Sequence, residues 1–361
     1  MTAHYRRSGH PNEKSPMQLF NTIYGRNLVY ELTQIIPQPF VVATMADLWP
    51  RFAPQFAGAA AHVHFVDSME LATLDQTLAG LPDVRAVVGL GGGRAVDAAK
   101  IFAWRRGLPL WQVPTSTSVN APFGHRAGVR VDGQVKYIGW AVPEGVYVDY
   151  DIIASAPPLV NRSGICEILC YHTGHLDWAF ARDRGKCEAK WPYDQSQVDE
   201  ARAVMDRLMP ALPDVHAGND AGIRALCEAN RWGGASFHHF GWNPRPIEGF
   251  DHFLFYALEH RVRRPFLHGQ PVCLGIYLGS LAHGVGAEEM LDAIARTDVD
   301  IRPEAMGVTW EDVEAVLHGM PAYVREAGLW YGIAHELEID EAFVPKARAA
   351  IEQRFGAWPA G

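Results

Sequence analysis

The chain is short of basic charge, of paired cysteines and of long apolar runs, and each shortage closes off a class of protein. Its 361 residues carry 32 Lys and Arg against 41 Asp and Glu, a formal net charge of -9. A broad cationic face able to neutralise a nucleic-acid backbone is therefore not expected, and an anionic small molecule would need a local cluster of cations. The five cysteines, Cys166, Cys170, Cys187, Cys227 and Cys273, are odd in number and lack the paired spacing of a zinc ribbon. Reduced thiols in a cytoplasmic protein fit that pattern better than a disulfide framework. No stretch reaches the roughly 18 apolar residues of a membrane span, and Met1 to Lys14 is polar with no apolar signal-like core. The expectation is an untargeted cytoplasmic protein that works on a small molecule, engages neither membrane nor nucleic acid, and forms a homo-oligomer, most simply a dimer.

What is present is a large apolar fraction, 48% of the chain, more than one core readily organises, so two domains are expected. In the first, short β-branched runs alternate with helical patterns: Phe40 to Thr44, His62 to Val66, Ala86 to Leu90, Leu110 to Val113 and Val146 to Val148 as strands, with helices over Ala46 to Phe56, Met69 to Leu81 and Arg94 to Arg106 between them. That rhythm predicts a parallel, Rossmann-like α/β sheet. Asp132-Gly133 between two apolar runs predicts a hairpin. Beyond the proline pair at Pro157 and Pro158 the texture becomes helical, with long helices over Gly164 to Arg182, Gln197 to Met209, Ala221 to Gly233, Gly249 to Arg261, Val272 to Gly284 and Trp310 to Phe355. The reading is an α/β domain over residues 1–158 and an all-α domain over 159–361.

Two places carry chemistry. The first is Gly89 to Lys100, GLGGGRAVDAAK, where glycines lie between an apolar strand and a helix. Backbone amides there can approach a pyrophosphate closely, because no Cβ intervenes. The second is a set of three residues far apart in the chain. Glu167 lies in an apolar helical start, SGICEIL, where an unpaired buried carboxylate would be costly unless a cation met it; His252 closes RPIEGFDH, and His268 opens HGQPVCLG. Together they suit a three-ligand divalent-metal site with open positions for a substrate oxygen. Competing sets are His172 with His175, Cys166 with Cys170 on one helical face, and His238-His239, which read as a polar turn. Arg126, Arg130, Lys136, Arg245 and the Arg261, Arg263, Arg264 run offer charge for a phosphate, the last of these reading as a solvated surface.

GGGRAVDAAK resembles the GGGSxxDxAK signature of iron-type alcohol and glycerol dehydrogenases, and PTSTSVNAP (Pro114 to Pro122) is similar to the PTxxSxDAP and PTxPSxDG segments of glycerol and glycerol-1-phosphate dehydrogenases. GICE, RPIEGFDH and HGQPVCLG follow in the order of the latter family's GxxD, RPASGxEH and HGExVxxG, and Leu176-Asp177-Trp178 matches its LDW. The resemblance, which spans roughly residues 85 to 280, implies a dehydroquinate-synthase-like fold. It implies NAD or NADP held by Gly91, Gly92, Gly93, Asp97, Thr115 and Ser118, and one divalent metal, zinc first and iron or nickel as alternatives, on Glu167, His252 and His268.

Departures from the pattern bear on substrate. Glu167 stands where the dehydrogenases have Asp, as in dehydroquinate synthases, whose SGLAEVxKY segment is similar to SGICEILCY, with Cys170 in place of their lysine. Asn120 replaces the dehydrogenases' substrate-side Asp and is expected near the substrate hydroxyls as a neutral donor and acceptor. Arg126 falls at the lysine of the cyclases' GGKTG, and Lys136 is a second candidate for an anionic substrate group. Tyr256 takes the place of a second histidine, and Gln270 that of the Glu in HGE. The resemblance implies an NAD(P)- and metal-dependent dehydrogenase acting on a secondary hydroxyl of a small polyol or polyol phosphate. The alternative is a sugar-phosphate cyclase that uses NAD transiently.

Overall fold

The computed structural model describes residues 20–56, 58–239 and 243–359, with side chains undescribed over residues 236–242. Among the described residues there are eight strands: β1 (Thr22–Gly25), β2 (Phe40–Thr44), β3 (Ala60–Phe65), β4 (Ala86–Gly91), β5 (Leu110–Pro114), β6 (Ala127–Val131), β7 (Gln134–Ile138) and β8 (Gly145–Asp149). Six of them form one sheet in the order β1-β8-β5-β4-β2-β3, and every pairing in it is parallel. The strands β2, β4 and β5 are buried along their whole length, as expected of near-continuous apolar runs such as FVVAT covered by helices on both faces. The helices that cover them are α1 (Leu28–Ile35), α2 (Trp49–Phe56), α3 (Leu71–Gly80) and α4 (Gly93–Arg106).

Strands β6 and β7 pair antiparallel around Asp132 and Gly133, whose φ values of 53° and 75° are those a tight two-residue hairpin demands. This hairpin leans on the sheet through α4, where Lys100 Nζ donates to the Arg126 carbonyl at 2.8 Å and the Gly128 amide donates to Asp97 Oδ2 at 3.0 Å.

After β8 the chain is helical: α5 (Tyr150–Ala154), α6 (Pro158–Ser163), α7 (Cys166–Asp183), α8 (Gln195–Leu208), α9 (Leu212–Ala217), α10 (Asp220–His239), α11 (Phe250–Val262), α12 (Gly269–His283), α13 (Ala287–Arg296), α14 (Trp310–Glu326) and α15 (Phe343–Phe355). One continuous hydrophobic cluster runs from Ile165 to Ile351, separate from the two that flank the sheet. Its centre is α7, α11 and α12. In α11 the residues Phe250 to Phe255 are all buried, as are Gly269 to Ser280 in α12, so these helices are enclosed on every side rather than amphipathic. No described helix is long and apolar enough to cross a membrane.

Three features differ from the sequence reading. The run Trp310 to Phe355 is not one helix: α14 ends at Glu326, Gly328 takes φ 65°, and a 3-10 turn over Ile333–Glu336 precedes α15, because glycine in the left-handed region ends a helix at little cost. Helix α13 was not anticipated. Strand β1 was not either; TIYG has no pattern of its own and becomes a strand by pairing with β8, Thr22 against Val146 and Gly25 against Asp149.

Candidate active site

The turn from β4 into α4 is shaped by its glycines. Gly91 has φ 151°, and a Cβ there would sit 2.7 Å from that of Ala95; at Gly89 a Cβ would come 2.9 Å from that of Ala99. Glycine therefore lets the helix descend directly onto the strand. Gly92 is the N-cap, with no side-chain cap and no acidic residue in the first turn of the 14-residue helix. A Cβ on Gly92 would meet nothing closer than Ser116 Oγ at 3.8 Å; its missing side chain faces open space. That space is a cavity of about 270 Å³ lined by Gly92, Thr115, Ser116 and Ser118, with Asp47 and Arg51 from the start of α2 and Pro157 and Val160 from α6. Uncapped amides at the positive end of a helix dipole, beside an open cradle, suit a phosphate group.

Across Gly93 lies a second, larger cavity of about 500 Å³, bounded by the hairpin on one side and by α7, α11 and the start of α12 on the other. Glu167, His252 and His268 all line it. Glu167 comes from the first turn of α7, His252 from the first turn of α11, and His268 is the N-cap of α12. Three helix starts thus converge on one wall. Glu167 Oε1 lies 3.3 Å from His268 Nε2, and the two imidazole centres are 5.3 Å apart; the ligand atoms of Glu167 and His268 cluster with Cys166, and that of His252 with Cys170 and Asp251. Asn120 Nδ2 donates to the other Glu167 oxygen at 2.9 Å. Burial would raise the Glu167 pKa, but the His268 hydrogen bond and charge, the His252 charge and the Asn120 amide more than offset it, and the carboxylate titrates below its ordinary value.

Behind this wall Asp251, wholly buried, binds both the backbone amide and Nδ1 of His252, and accepts from Thr173 Oγ1 at 2.5 Å. With Nδ1 so engaged, Nε2 is the imidazole nitrogen left with a lone pair for a metal. Burial lowers the His252 pKa, but Glu248, Asp251 and Glu167 outweigh it and push the value up to about 9, so Nε2 carries a proton that a bound cation would displace. Glu167 and Glu248 on the wall and Asp251 behind it are three buried acidic groups; burial, Asp251 and Glu167 push the Glu248 pKa up to about 7, His252 opposing, a crowding that a divalent cation would relieve. The oxygen and imidazole donor set fits such an ion.

Of the remaining predicted residues, Asn120, Asp97 and Arg126 also line the larger cavity, and Gly92, Thr115 and Ser118 the smaller. Asp97 forms an ion pair with the buried Lys100 at 2.8 Å, tying α4 to the hairpin. Gly91 belongs to neither lining; it shapes the turn. Lys136 is exposed and outside both cavities, because Val135 and Tyr137 take the cavity side of β7 and the residue between them points the other way. Gln270 turns away to donate to the Asp300 carbonyl at 2.8 Å. His172 meets the Val285 carbonyl at 3.1 Å, far around α7 from Glu167, and neither it nor His175 lines either of these two cavities. The Cys170 thiol donates to the Ile247 carbonyl at 2.9 Å. The side chains of His238 and His239 lie outside the described residues.

Glu248, Tyr137, Tyr256, Arg130 and Glu259 also line the larger cavity. Asp251, Glu248, Tyr137 and Glu259 were not singled out from the sequence. A signal existed for two of them: Glu248 and Asp251 are acidic residues in an otherwise apolar run, as Glu167 is.

Comparison with known proteins agrees with this architecture. Residues 45–157 match the family model described as iron-containing alcohol dehydrogenase. A glycerol dehydrogenase from Schizosaccharomyces pombe superposes with a TM-score of 0.66 at 19% identity, covering 95% of this chain and 92% of that one. A probable glycerol dehydrogenase from Sinorhizobium meliloti gives 0.70 at 18%, covering 94% and 98%. Over residues 45–157 the chain is therefore similar to iron-containing alcohol dehydrogenases. The chain is also similar to glycerol-1-phosphate dehydrogenases [NAD(P)+]: 30% identical to that of Methanothrix thermoacetophila over 55% of this chain and 54% of the relative. It is 27% identical to that of Thermofilum pendens over 85% and 88%. The first of these two matches spans about half the length of the relative.

Proposed function

We propose that the protein is an NAD(P)- and metal-dependent oxidoreductase acting on a secondary hydroxyl of a small polyol or polyol phosphate. The observation that carries this reading is the convergence of Glu167, His252, His268 and Asn120 on one wall of a cavity whose opposite boundary is the glycine turn. A divalent cation held by Glu167, His252 and His268 would lower the pKa of a bound hydroxyl, and NAD(P) would accept the hydride. The chain's own residues do the rest. The N-terminus of α4 at Gly92 and Gly93 receives the pyrophosphate, and Thr115 and Ser118 supply hydroxyls to the cofactor. Asp251 orients the His252 ring, and Asn120 holds the Glu167 carboxylate while presenting its own carbonyl oxygen toward the substrate. Arg126, which donates to the Tyr137 carbonyl at 3.3 Å, is the cavity's candidate cation should the substrate carry an anionic group.

Glycerol-1-phosphate dehydrogenases supply the nearest specific chemistry, and zinc is the metal proposed, with iron or nickel as alternatives. A division into a cofactor domain over 1–158 and a metal domain over 159–361 is supported by the helical cluster lying apart from the two that flank the sheet, while a fourth cluster joins Val146, Val148 and Ile153 to Ile223 and Cys227 across that boundary. A cytoplasmic homodimer completes the reading; gel filtration tests the dimer.

A second reading, a sugar-phosphate cyclase, is favoured by the glutamate at position 167. Against it, the thiol of Cys170 is buried and tied to the Ile247 carbonyl, so that position supplies no cation. A dehydrogenase releases reduced cofactor, whereas a cyclase returns the hydride within each turnover. Purified protein given metal, NAD(P) and a panel of polyols, glycerol phosphate and seven-carbon ketose phosphates should accumulate NADH or NADPH in step with oxidised product. Product formed from a ketose phosphate with no net absorbance change would replace the leading reading with the second.

A further inference from the structure

We propose that Glu248 is the residue by which this chain selects an unphosphorylated, hydroxyl-rich substrate, its carboxylate accepting hydrogen bonds from polyol hydroxyls beyond the reacting carbon. The inference rests on the dehydrogenase reading above and narrows its substrate class.

Glu248 sits one residue before the N-cap of α11 and is 5% exposed, yet it lines the cavity that contains Glu167, His252 and His268. Its backbone is occupied elsewhere: the amide donates to the Pro244 carbonyl at 2.9 Å, and its carbonyl accepts from Trp330 Nε1 at 3.0 Å. The loop is thereby pinned and the side chain left to face the cavity. There Tyr256 donates to Oε2 at 3.4 Å. Among the described residues no donor meets Oε1, and no Lys or Arg forms an ion pair with the group. A buried carboxylate with an open acceptor lobe on a cavity wall is a receptor for hydrogen-bond donors.

The charges around it argue against a phosphate. Glu167 lines the same wall and Asp251 lies just behind it, while the cavity's arginines are engaged. Arg130 pairs with Glu259 at 3.4 Å, Arg94 donates to the carbonyls of Val66 at 3.3 Å and Asp67 at 2.5 Å, and Arg126 donates to the Tyr137 carbonyl at 3.3 Å. Burial pushes the Glu248 pKa up to about 7, so a phosphate seated against it would meet a like charge or force it to protonate, whereas a polyol hydroxyl can hydrogen-bond to it in either state. The glycerol-1-phosphate-dehydrogenase pattern RPASGxEH has serine at this position, which carries no such charge.

The test compares the metal- and NAD(P)-loaded wild type with Glu248→Gln and Glu248→Ser, using glycerol, longer linear polyols and glycerol 1-phosphate as substrates. Metal content and melting temperature establish that the variants are folded and loaded. Expected is a wild type that favours polyol over glycerol 1-phosphate, a KM for polyol raised about tenfold in Glu248→Gln with kcat changed less, and a phosphate-to-polyol ratio of kcat/KM raised at least tenfold in Glu248→Ser. An unchanged ratio in both variants, or a wild type that prefers glycerol 1-phosphate, would overturn the proposal. If wild type oxidises none of these compounds, the dehydrogenase reading fails separately. Calorimetric titration of the same polyols then decides the role of Glu248, weaker binding in Glu248→Gln supporting it and equal binding rejecting it.

Discussion

The sheet half and the helical half build their sites by opposite means. On the sheet side the candidate cofactor cradle is mostly backbone: a turn whose glycines remove side chains, an uncapped helix start, and two hydroxyls from the loop after β5. On the helical side the candidate metal wall is all side chain, assembled from the starts of α7, α11 and α12 and held by Asp251, Asn120 and Thr173. A backbone site is local and tolerates most changes that leave glycine alone. A side-chain site depends on three helices keeping their relative positions, so its donors are expected to act as a set.

The largest effect that would sharpen this contrast is on metal. His252→Ala and His268→Ala should each lose bound divalent ion and lower turnover by roughly a thousandfold or more, because three protein donors are the minimum such a site uses. Elemental analysis beside a steady-state assay reads it, and full metal occupancy in both variants would remove the trio from the mechanism.

On the sheet side, Gly92→Val should weaken dinucleotide binding about a hundredfold while sparing metal content, since the new side chain fills the open space between Gly92 and Ser116. Fluorescence titration with NAD and NADP measures this. Equal affinity in the variant would mean that the two halves do not divide the labour as argued.

The smallest effect concerns stability in acid, and it should belong to the helical half. His175, on the same helix as Glu167 but buried away from the cavity, has its pKa pushed down to about 3 by burial. A histidine depressed in the fold prefers to stay neutral, so its contribution is fully present above the unfolded value near 6.5 and is lost as pH falls from there toward 3. At pH 5 the expected cost is about 2 kcal/mol. Replacing it with the uncharged, comparably sized His175→Gln should shrink the difference in unfolding free energy between pH 7.5 and pH 5, measured by urea denaturation. A difference as large as in wild type would place the acid sensitivity elsewhere.

Much of the sheet half was legible because its signals are short-range. Runs such as AVVGL name a buried parallel strand, Asp132-Gly133 names a hairpin, and consecutive glycines name a tight strand-to-helix turn, all within a dozen residues. The edge strand β1 escaped because only β8, far along the chain, makes TIYG a strand. In the helical half, Glu167, His252 and His268 stood out as polar residues in apolar company, but their meeting on one wall, with Asn120 bonded to Glu167 across the cleft, depends on how separate helices pack. The same holds for the residues that the reading misjudged or passed over. Lys136 carried the charge expected of a substrate-binding residue, yet the alternation of β7 turns it outward. Glu248 and Asp251 looked like ordinary acidic neighbours of a histidine until the loop pinned by Pro244 and Trp330 put one into the cavity and the other behind the ring. Local pattern decides which backbone conformations and buried faces a segment favours; which side chains share a cavity is decided by contacts between segments distant in sequence, and no single segment encodes those.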